Sequence, residues 1–355
     1  MAKYPTPLSI RQDFSLNPNT FMQLRPLGSS GLLVSPVCLG TMTFGSPVEE
    51  ADAIKLTHGA IDLGINFIDT ANVYEGYDRY LGSAGGTAEV ILGKALADRR
   101  DKVILATKVG APLGPGPQDA GLSPTTIGRE LDASLKRLNT DYIDLYILHW
   151  PDKHTPLEAT LGAIETAVRQ GKVRSFGVSN HFAFDLCELL WLSDKYGWPK
   201  PVSSQIPYSM LKRHFNIDLE FCDKHNIGVT PYQILEGGLL TGKYKRGQEI
   251  PEGSRMQENP NWLSNPEEAI YDQLEATEAL ANEAGVPFSQ YTVAWTLAQQ
   301  AMASVVLGVK TLKQVEDAVA GANIQLPAEL LAKQDSVTPP PHRHTAPFAR
   351  PTSTE

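Results

Sequence analysis

The chain has 355 residues, 42% of them hydrophobic and 20% charged, the balance of a folded protein and not of a disordered one. Its 40 acidic and 31 basic residues give a formal net charge of −9 with no Lys/Arg-rich run, which argues against nucleic acid or an anionic membrane as partner. No run reaches the ~18–20 consecutive apolar residues of a membrane span, and the opening MAKYPTPLSIRQDF lacks the apolar core of a secretory signal.

Residues 1–21 are polar and Pro-containing and read as an extension. From Met22, MQLRPLGSSGLLVS sets two short apolar runs around Gly28-Ser29-Ser30-Gly31, the pattern of a β-hairpin. From Ser35 onward, short β-branched runs ending in a polar residue alternate with segments of helical period. The runs are VSPVCLGTM, INFIDTA, KVILATK, YIDLYILHW, VRSFGVSN, VSSQIPYS, IGVTPYQIL and ASVVLGV. Between them lie amphipathic stretches such as EEADAIKLTHGAIDLG, TAEVILGKALADRR, TTIGRELDASLKRLN, PLEATLGAIETAVRQG and FDLCELLWLSDKYG. Ser123-Pro124 and Thr155-Pro156 read as helix starts. Gly64, Gly171, Gly197 and Gly228 read as helix stops. Cys38, Cys187 and Cys222 are odd in number, far apart and in apolar stretches, so they read as reduced, buried residues of a cytoplasmic protein.

Strand–helix units roughly 25–40 residues apart predict an α/β fold, a (β/α)8 TIM barrel over residues 22–336 with an N-terminal hairpin and a long loop after strand seven. A doubly wound open sheet is the alternative. It would carry a G-x-G-x-x-G turn after its first strand, and GTMTFGSP stands there instead. Residues 337–355, with VTPPPHRHTAPFARPTSTE, read as a Pro-rich tail. His342 and His344 lack the Cys or acidic neighbours of a metal site, and no metal is expected.

In such a barrel, polar residues at the carboxyl ends of the strands share one mouth. Here those ends carry Asp69, Lys108, His149, Ser179-Asn180, Gln205 and Tyr232. A lysine beside a tyrosine favours the phenolate. A free phenol at about pKa 10 is a weak acid for protonating an alkoxide, so lowering it would help. An aspartate orients the lysine, and a histidine donates to a carbonyl oxygen as negative charge grows on it. Tyr74, in the loop after Asp69, is placed to turn back over the mouth. The set suits reduction of an aldehyde or ketone once a hydride donor is present.

At these residues the chain resembles the aldo-keto reductase superfamily, nearest its Tas-like and aryl-alcohol-dehydrogenase-like bacterial branches. GTMTFG at 40–45, GINFIDTANVYEG at 64–76, VILATKVG at 103–110, SLKRLNTDYIDLYILHWPD at 134–152, GKVRSFGVSN at 171–180, QIPYSML at 205–211, GGLLTGKY at 237–244 and VAWTLAQ at 293–299 carry the likeness. The resemblance implies a catalytic tetrad of Asp69, Tyr74, Lys108 and His149. It implies Ser179, Asn180 and Gln205 on the nicotinamide carboxamide and Tyr208 packed on the ring face. Gly40, Thr41 and Met42 after the first barrel strand belong to the cofactor set. The loop from Tyr232 to Tyr244, with Gln233, Leu235, Gly237, Leu239 and Lys243, is implied to fold over the pyrophosphate. Gly308, Lys310, Thr311 and Gln314 are implied at the adenosine end, where Lys310 and Thr311 suit a 2′-phosphate and so NADP(H) over NAD(H).

Three departures stand out. Tyr232-Gln233-Ile234-Leu235 replaces the usual Tyr-Ser-Pro-Leu, Ala318 stands where an Asn is common, and EGYDRYLGSAGGTA after Tyr74 is longer than the usual turn. Tyr77, Tyr80 and Gly85-Gly86 in that stretch suit a flap over the mouth, and Trp150 and Trp262 are candidates for the pocket wall. The expected partner is a small carbonyl or alcohol. Two other readings stay open: a Schiff-base lyase or aldolase using Lys108, and a non-enzymatic regulatory subunit of the channel β type, which shares this fold and tetrad.

Overall fold

Strands β1 (Arg25–Pro26) and β2 (Leu33–Val34) pair antiparallel around a 3₁₀ turn at Gly28–Ser30, forming the hairpin that the pattern predicts. The computed structural model describes residues 22–341 except Pro117 and Asn261. The expected extension, His342, His344 and most of the Pro-rich tail therefore lie outside the described residues.

Eight parallel strands follow the hairpin: β3 (Val37–Gly40), β4 (Phe67–Asp69), β5 (Ile104–Val109), β6 (Ile143–Leu148), β7 (Val173–Ser179), β8 (Ser203–Gln205), β9 (Gly228–Val229) and β10 (Val305–Gly308). They neighbour one another in sequence order, and β10 returns beside β3. Val229 N–H donates to Ala301 O and Ala303 N–H to Val229 O, each at 2.8 Å, so the chain entering β10 closes the sheet against β9. The fold is the predicted (β/α)8 barrel.

Helices α1 (Glu50–Asp62), α2 (Thr87–Ala95), α3 (Pro124–Leu138), α4 (Leu157–Arg169), α5 (Ala183–Tyr196) and α6 (Asn216–Lys224) alternate with the strands. The long segment between β9 and β10 holds a 3₁₀ turn at Glu236–Thr241, then α7 (Arg255–Glu258), α8 (Glu268–Glu283) and α9 (Phe288–Leu297). The chain ends its described part with α10 (Leu312–Ala322) and α11 (Ala328–Val337). Ser123 caps α3 by accepting from Thr126 N, with Pro124 as the first helical residue.

The strand pleat separates two apolar layers. Leu27, Val34, Cys38, Phe67, Ala106, Leu145, Ile147 and Val306 fill the interior. Leu39, Ile68, Leu105, Val109, Tyr146 and Leu148 face outward against the helices. The hairpin plugs the amino-terminal end, with Leu27 and Val34 both fully buried.

That plug corrects one expectation. Gly228 does not stop a helix; it lies inside β9, and Asn226, at φ 52°, makes the turn after α6. A Cβ on Gly228 would sit 2.8 Å from Gly28 N, and one on Gly28 would sit 2.3 Å from Val202 O, so bare backbone is what lets the plug seat. A second correction concerns the cysteines: all three are free, but Cys187 is exposed on α5 while Cys38 and Cys222 are buried.

Candidate active site

Phe67, Ala106 and Ile147 point into the barrel, so the pleat sends the residues two further along the same way. Those residues are Asp69, Lys108 and His149, one layer nearer the carboxyl ends of the strands. Lys108 Nζ donates to Asp69 Oδ1 at 2.6 Å, to Thr70 O at 2.9 Å and to Tyr74 Oη at 3.0 Å. The other oxygen of Asp69 accepts from Gln205 Nε2 at 2.9 Å. Lys108 is 0% and Asp69 1% exposed. A buried ion pair of this kind persists because its remaining hydrogen-bonding positions are filled.

Burial alone would push the Lys108 ammonium down, but Asp69 and the Tyr74 oxygen outweigh it and hold the group above its ordinary value. Tyr74 differs from the simple expectation. Burial raises its phenol, and the opposing pull of Lys108 does not bring it below the ordinary value. The phenol therefore stays protonated, and the neighbouring cation is poised to meet a negative oxygen once the proton leaves.

His149 is pushed well below the usual imidazole range by burial, then by the cations of Lys108 and Arg79. It is neutral at neutral pH, and its Nδ1 is buried without a hydrogen-bond partner among the described residues. Its ring meets Tyr74 edge-on and stacks on Trp150, with centroids 6.1 Å away in each case. Trp150 is 48% exposed beside this mouth.

The residues expected at the nicotinamide end also converge. Asn180, at φ 62°, donates to His149 O at 2.9 Å and to Ser179 Oγ at 3.0 Å, and accepts from Tyr232 Oη at 2.7 Å. Thr41 donates through its N–H and its hydroxyl to Asp69 O at 3.0 and 3.1 Å. Gly40 pairs in register with Asp69 on one side and Gly308 on the other, and Met42 is partly exposed beyond it.

Tyr208 is the exception. It is fully buried, its ring lies parallel to Trp295 at 6.0 Å, and its hydroxyl donates to Asn216 Oδ1 at 2.9 Å. Protein covers the face expected to carry a nicotinamide ring. Tyr232, tied to Asn180, is half-buried at the mouth.

The loop after β9 turns sharply, with left-handed backbone at Gln233 (φ 59°), Glu236 (φ 46°), Gly237 (φ 65°) and Gly238 (φ 102°). Leu235 is half-buried and Leu239 buried along it. A Cβ on Gly237 would lie 2.7 Å from the Trp262 ring, so the loop folds tightly on itself. Lys243 is pushed below its ordinary value by desolvation and by the cations of Lys310 and Arg255. Lys310 Nζ meets Glu258 and the carbonyl of Gly253. Thr311 and Gln314 cap α10 reciprocally, with Gln314 Oε1 accepting from Lys310 N at 2.7 Å. Ala318, on the same helix, is buried in the outer layer and offers only a methyl group.

Sequence reasoning missed Arg255. Its guanidinium lies between the rings of Tyr77, at 4.1 Å, and Trp262, at 4.7 Å. Nothing periodic in EGSRMQENP marks it; only its contact with Tyr77, distant in the chain, does. It also missed Arg79, in the long segment after Tyr74. That segment is fastened at several points: Tyr77 N–H to Ser46 O at 2.9 Å, Gly82 N–H to Leu113 O at 2.8 Å, and Arg79 Nη2 to Pro112 O. Tyr80 is 68% exposed at its tip.

The donor set fits a nicotinamide dinucleotide. Three cations, Lys243, Arg255 and Lys310, crowd one end with Glu258 among them. A tight glycine-containing loop and α10 flank them, while Ser179, Asn180 and Gln205 stand at the ends of β7 and β8, where Gln205 shares Asp69 with Lys108. Among the described residues, no group of three or more His, Cys, Asp or Glu converges as metal ligands would, and no helix is long and apolar enough to cross a membrane.

Residues 36–338 match the model of the Aldo/keto reductase family. The chain is 36% identical to the uncharacterized oxidoreductase YrpG of Bacillus subtilis over 332 residues, covering 91% of this chain and 98% of that protein. It is 34% identical to a probable voltage-gated potassium channel subunit beta of Arabidopsis thaliana, covering 83% of this chain and 90% of that one. It is also 34% identical to protein tas of Escherichia coli, over 89% of this chain and 97% of that one. Fold, matched segment and relatives agree: the chain belongs to the aldo-keto reductase family, which in general reduces carbonyl compounds with nicotinamide cofactors and whose relatives here include oxidoreductases as well as a channel subunit.

Proposed function

We propose that this protein is an NADPH-dependent carbonyl reductase of the cytoplasm that converts an aldehyde or ketone to its alcohol, with Tyr74 as the proton donor. The observation that carries the reading is the ammonium of Lys108, buried and shared among Asp69, Thr70 O and Tyr74 Oη. The bound cofactor supplies the hydride. The chain does the rest. Tyr74 keeps its proton until negative charge grows on the substrate oxygen, then releases it; Lys108 offsets the charge left on the phenol. Neutral His149 donates to the same oxygen. Asp69 and Gln205 hold Lys108 in place. The reverse reaction uses the same groups.

Ser179, Asn180 and Gln205 would hold the carboxamide, and Tyr232, not Tyr208, would offer the ring face. Lys310, Arg255 and Lys243 would hold phosphates. Three cations against the single carboxylate of Glu258 leave a surplus of positive charge for a 2′-phosphate, which supports NADP(H) over NAD(H).

A protonated Lys108 has no lone pair to attack a carbonyl, which weighs against the Schiff-base reading. The channel-subunit reading rests on likeness alone.

The test is cofactor binding followed by turnover. Fluorescence titration should show NADPH binding about tenfold or more tighter than NADH, and a panel of aldehydes, ketones and sugars should oxidise bound NADPH. Failure of either cofactor to bind, or borohydride trapping of a carbonyl on Lys108, would overturn the reading.

A further inference from the structure

Resting on that reading, we propose that the substrate carries an oxyanion, a carboxylate or phosphate, and that Arg79 is the residue that binds it. Arg79 lies in the long segment between Tyr74 and α2, a segment fastened against the loop after β5 through Pro112 O and Leu113 O. Its guanidinium makes one hydrogen bond, from Nη2 to Pro112 O, and no ion pair among the described residues. Its Nε is buried with no partner among the described residues. Nε is closed to solvent and to ligands alike, but the Nη1 edge of the fork makes no hydrogen bond to the described residues, and an oxyanion is the acceptor that fits that edge best.

The place of Arg79 is as telling as its missing partner. Its guanidinium donates to the carbonyl of Pro112, whose chain neighbours Ala111 and Leu113 pack in one cluster with Tyr74, and its charge is among those that disfavour protonation of His149. Trp150 stacks on the same histidine and leaves nearly half its surface open. The mouth thus offers Tyr74 and His149 for a carbonyl oxygen and an open indole for a flat or apolar middle, with Arg79 on the segment that follows Tyr74.

The other free-standing features point elsewhere. The cations Lys243, Arg255 and Lys310 belong to the proposed cofactor groove. Lys108 is taken up by Asp69 and Tyr74. That leaves Arg79 as the mouth cation whose function the reductase mechanism does not use. An anchored anion also explains why the segment is tied down: a cation that must meet a charge at fixed distance from a carbonyl cannot sit on a loose loop.

The test pairs substrates that differ in charge but not in shape: 4-carboxybenzaldehyde against 4-formylbenzamide, and glyceraldehyde 3-phosphate against glyceraldehyde. Two variants separate charge from loop anchoring. Arg79→Gln keeps a donor for Pro112 O without the charge; Arg79→Lys keeps the charge without the fork. The wild type should favour the anionic member in kcat/KM by roughly 10- to 100-fold. Arg79→Gln should bring that ratio near one, and Arg79→Lys should restore part of it. Calorimetric titration with benzoate, against benzamide, reads the same site without turnover and should lose its signal in Arg79→Gln. The carboxylate and phosphate pairs show which oxyanion is preferred.

No anionic preference in the wild type, or a preference that survives Arg79→Gln, overturns the inference while reduction of the neutral aldehydes leaves the reductase reading standing. Benzoate binding that depends on Arg79, with no aldehyde reduced, has the opposite meaning: the anion site holds and the reductase reading falls.

Discussion

The two ends of the barrel are built from the same strands and do opposite things. Below the mouth the inward positions are Cys38, Phe67, Ala106 and Ile147, and Leu27 and Val34 of the hairpin seal the amino-terminal end. Two residues further along the strands, the inward positions are Asp69, Lys108 and His149. One end is dry and filled; the other holds a buried cation, its carboxylate and a neutral imidazole. The pleat alone moves the molecule from stability to chemistry in two residues. It also says which substitutions should damage the fold and which the reaction.

Lys108→Met should have the largest effect, because it removes the cation and strands Asp69. We expect kcat for aldehyde reduction to fall about 10³-fold or more and chemical unfolding to show a loss of about 3–5 kcal/mol from the unpaired carboxylate. Retained kcat would detach the ammonium from the reaction. At the opposite end, Leu27→Ala should cost about 2–5 kcal/mol of stability through the cavity it opens, with kcat unchanged. A change in kcat without a change in stability would mean that the plug communicates with the mouth.

Acid should also tell the two ends apart. His149 stays unprotonated well below the ordinary imidazole value because burial and nearby cations disfavour its charge. Between that ordinary value, near ~6.5, and its lower folded value, the unfolded chain takes up a proton that the folded chain refuses. Stability therefore falls as pH falls through this window, by about 1.4 kcal/mol per pH unit from this group. Urea unfolding at a series of pH values should show the slope in the wild type and a shallower one in His149→Gln. An equal slope in both would place the titration elsewhere. The smallest effect is expected from Lys310→Ala: NADPH affinity should drop about tenfold, while NADH affinity barely moves. Equal losses for the two cofactors would mean that the 2′-phosphate is read by other residues.

Most of the barrel was legible because strand and helix periods alternate cleanly, and because Asp69, Lys108 and His149 each close a run of apolar residues. The hairpin was legible from its turn. Gly228 was misread because a glycine after a helix looks the same whether it ends the helix or admits another backbone, and only the packing of Gly28 decides. Tyr208 was misplaced because sequence gives a residue's position along a strand end but not which neighbour, here Trp295, covers its ring. The direction of the Tyr74 shift needed burial as well as neighbours: the lysine was visible in the sequence, the desolvation was not. Arg79 and Arg255 sit in non-periodic loops whose partners are distant in the chain.

The proposed reaction depends on the proton of one phenol held against a buried ammonium. Single-turnover reduction of an aldehyde by Tyr74→Phe, with NADPH binding measured separately on the same sample, tests it most directly. The rate should fall by about 10²- to 10⁴-fold with NADPH affinity nearly intact; a rate equal to that of the wild type would contradict the assignment.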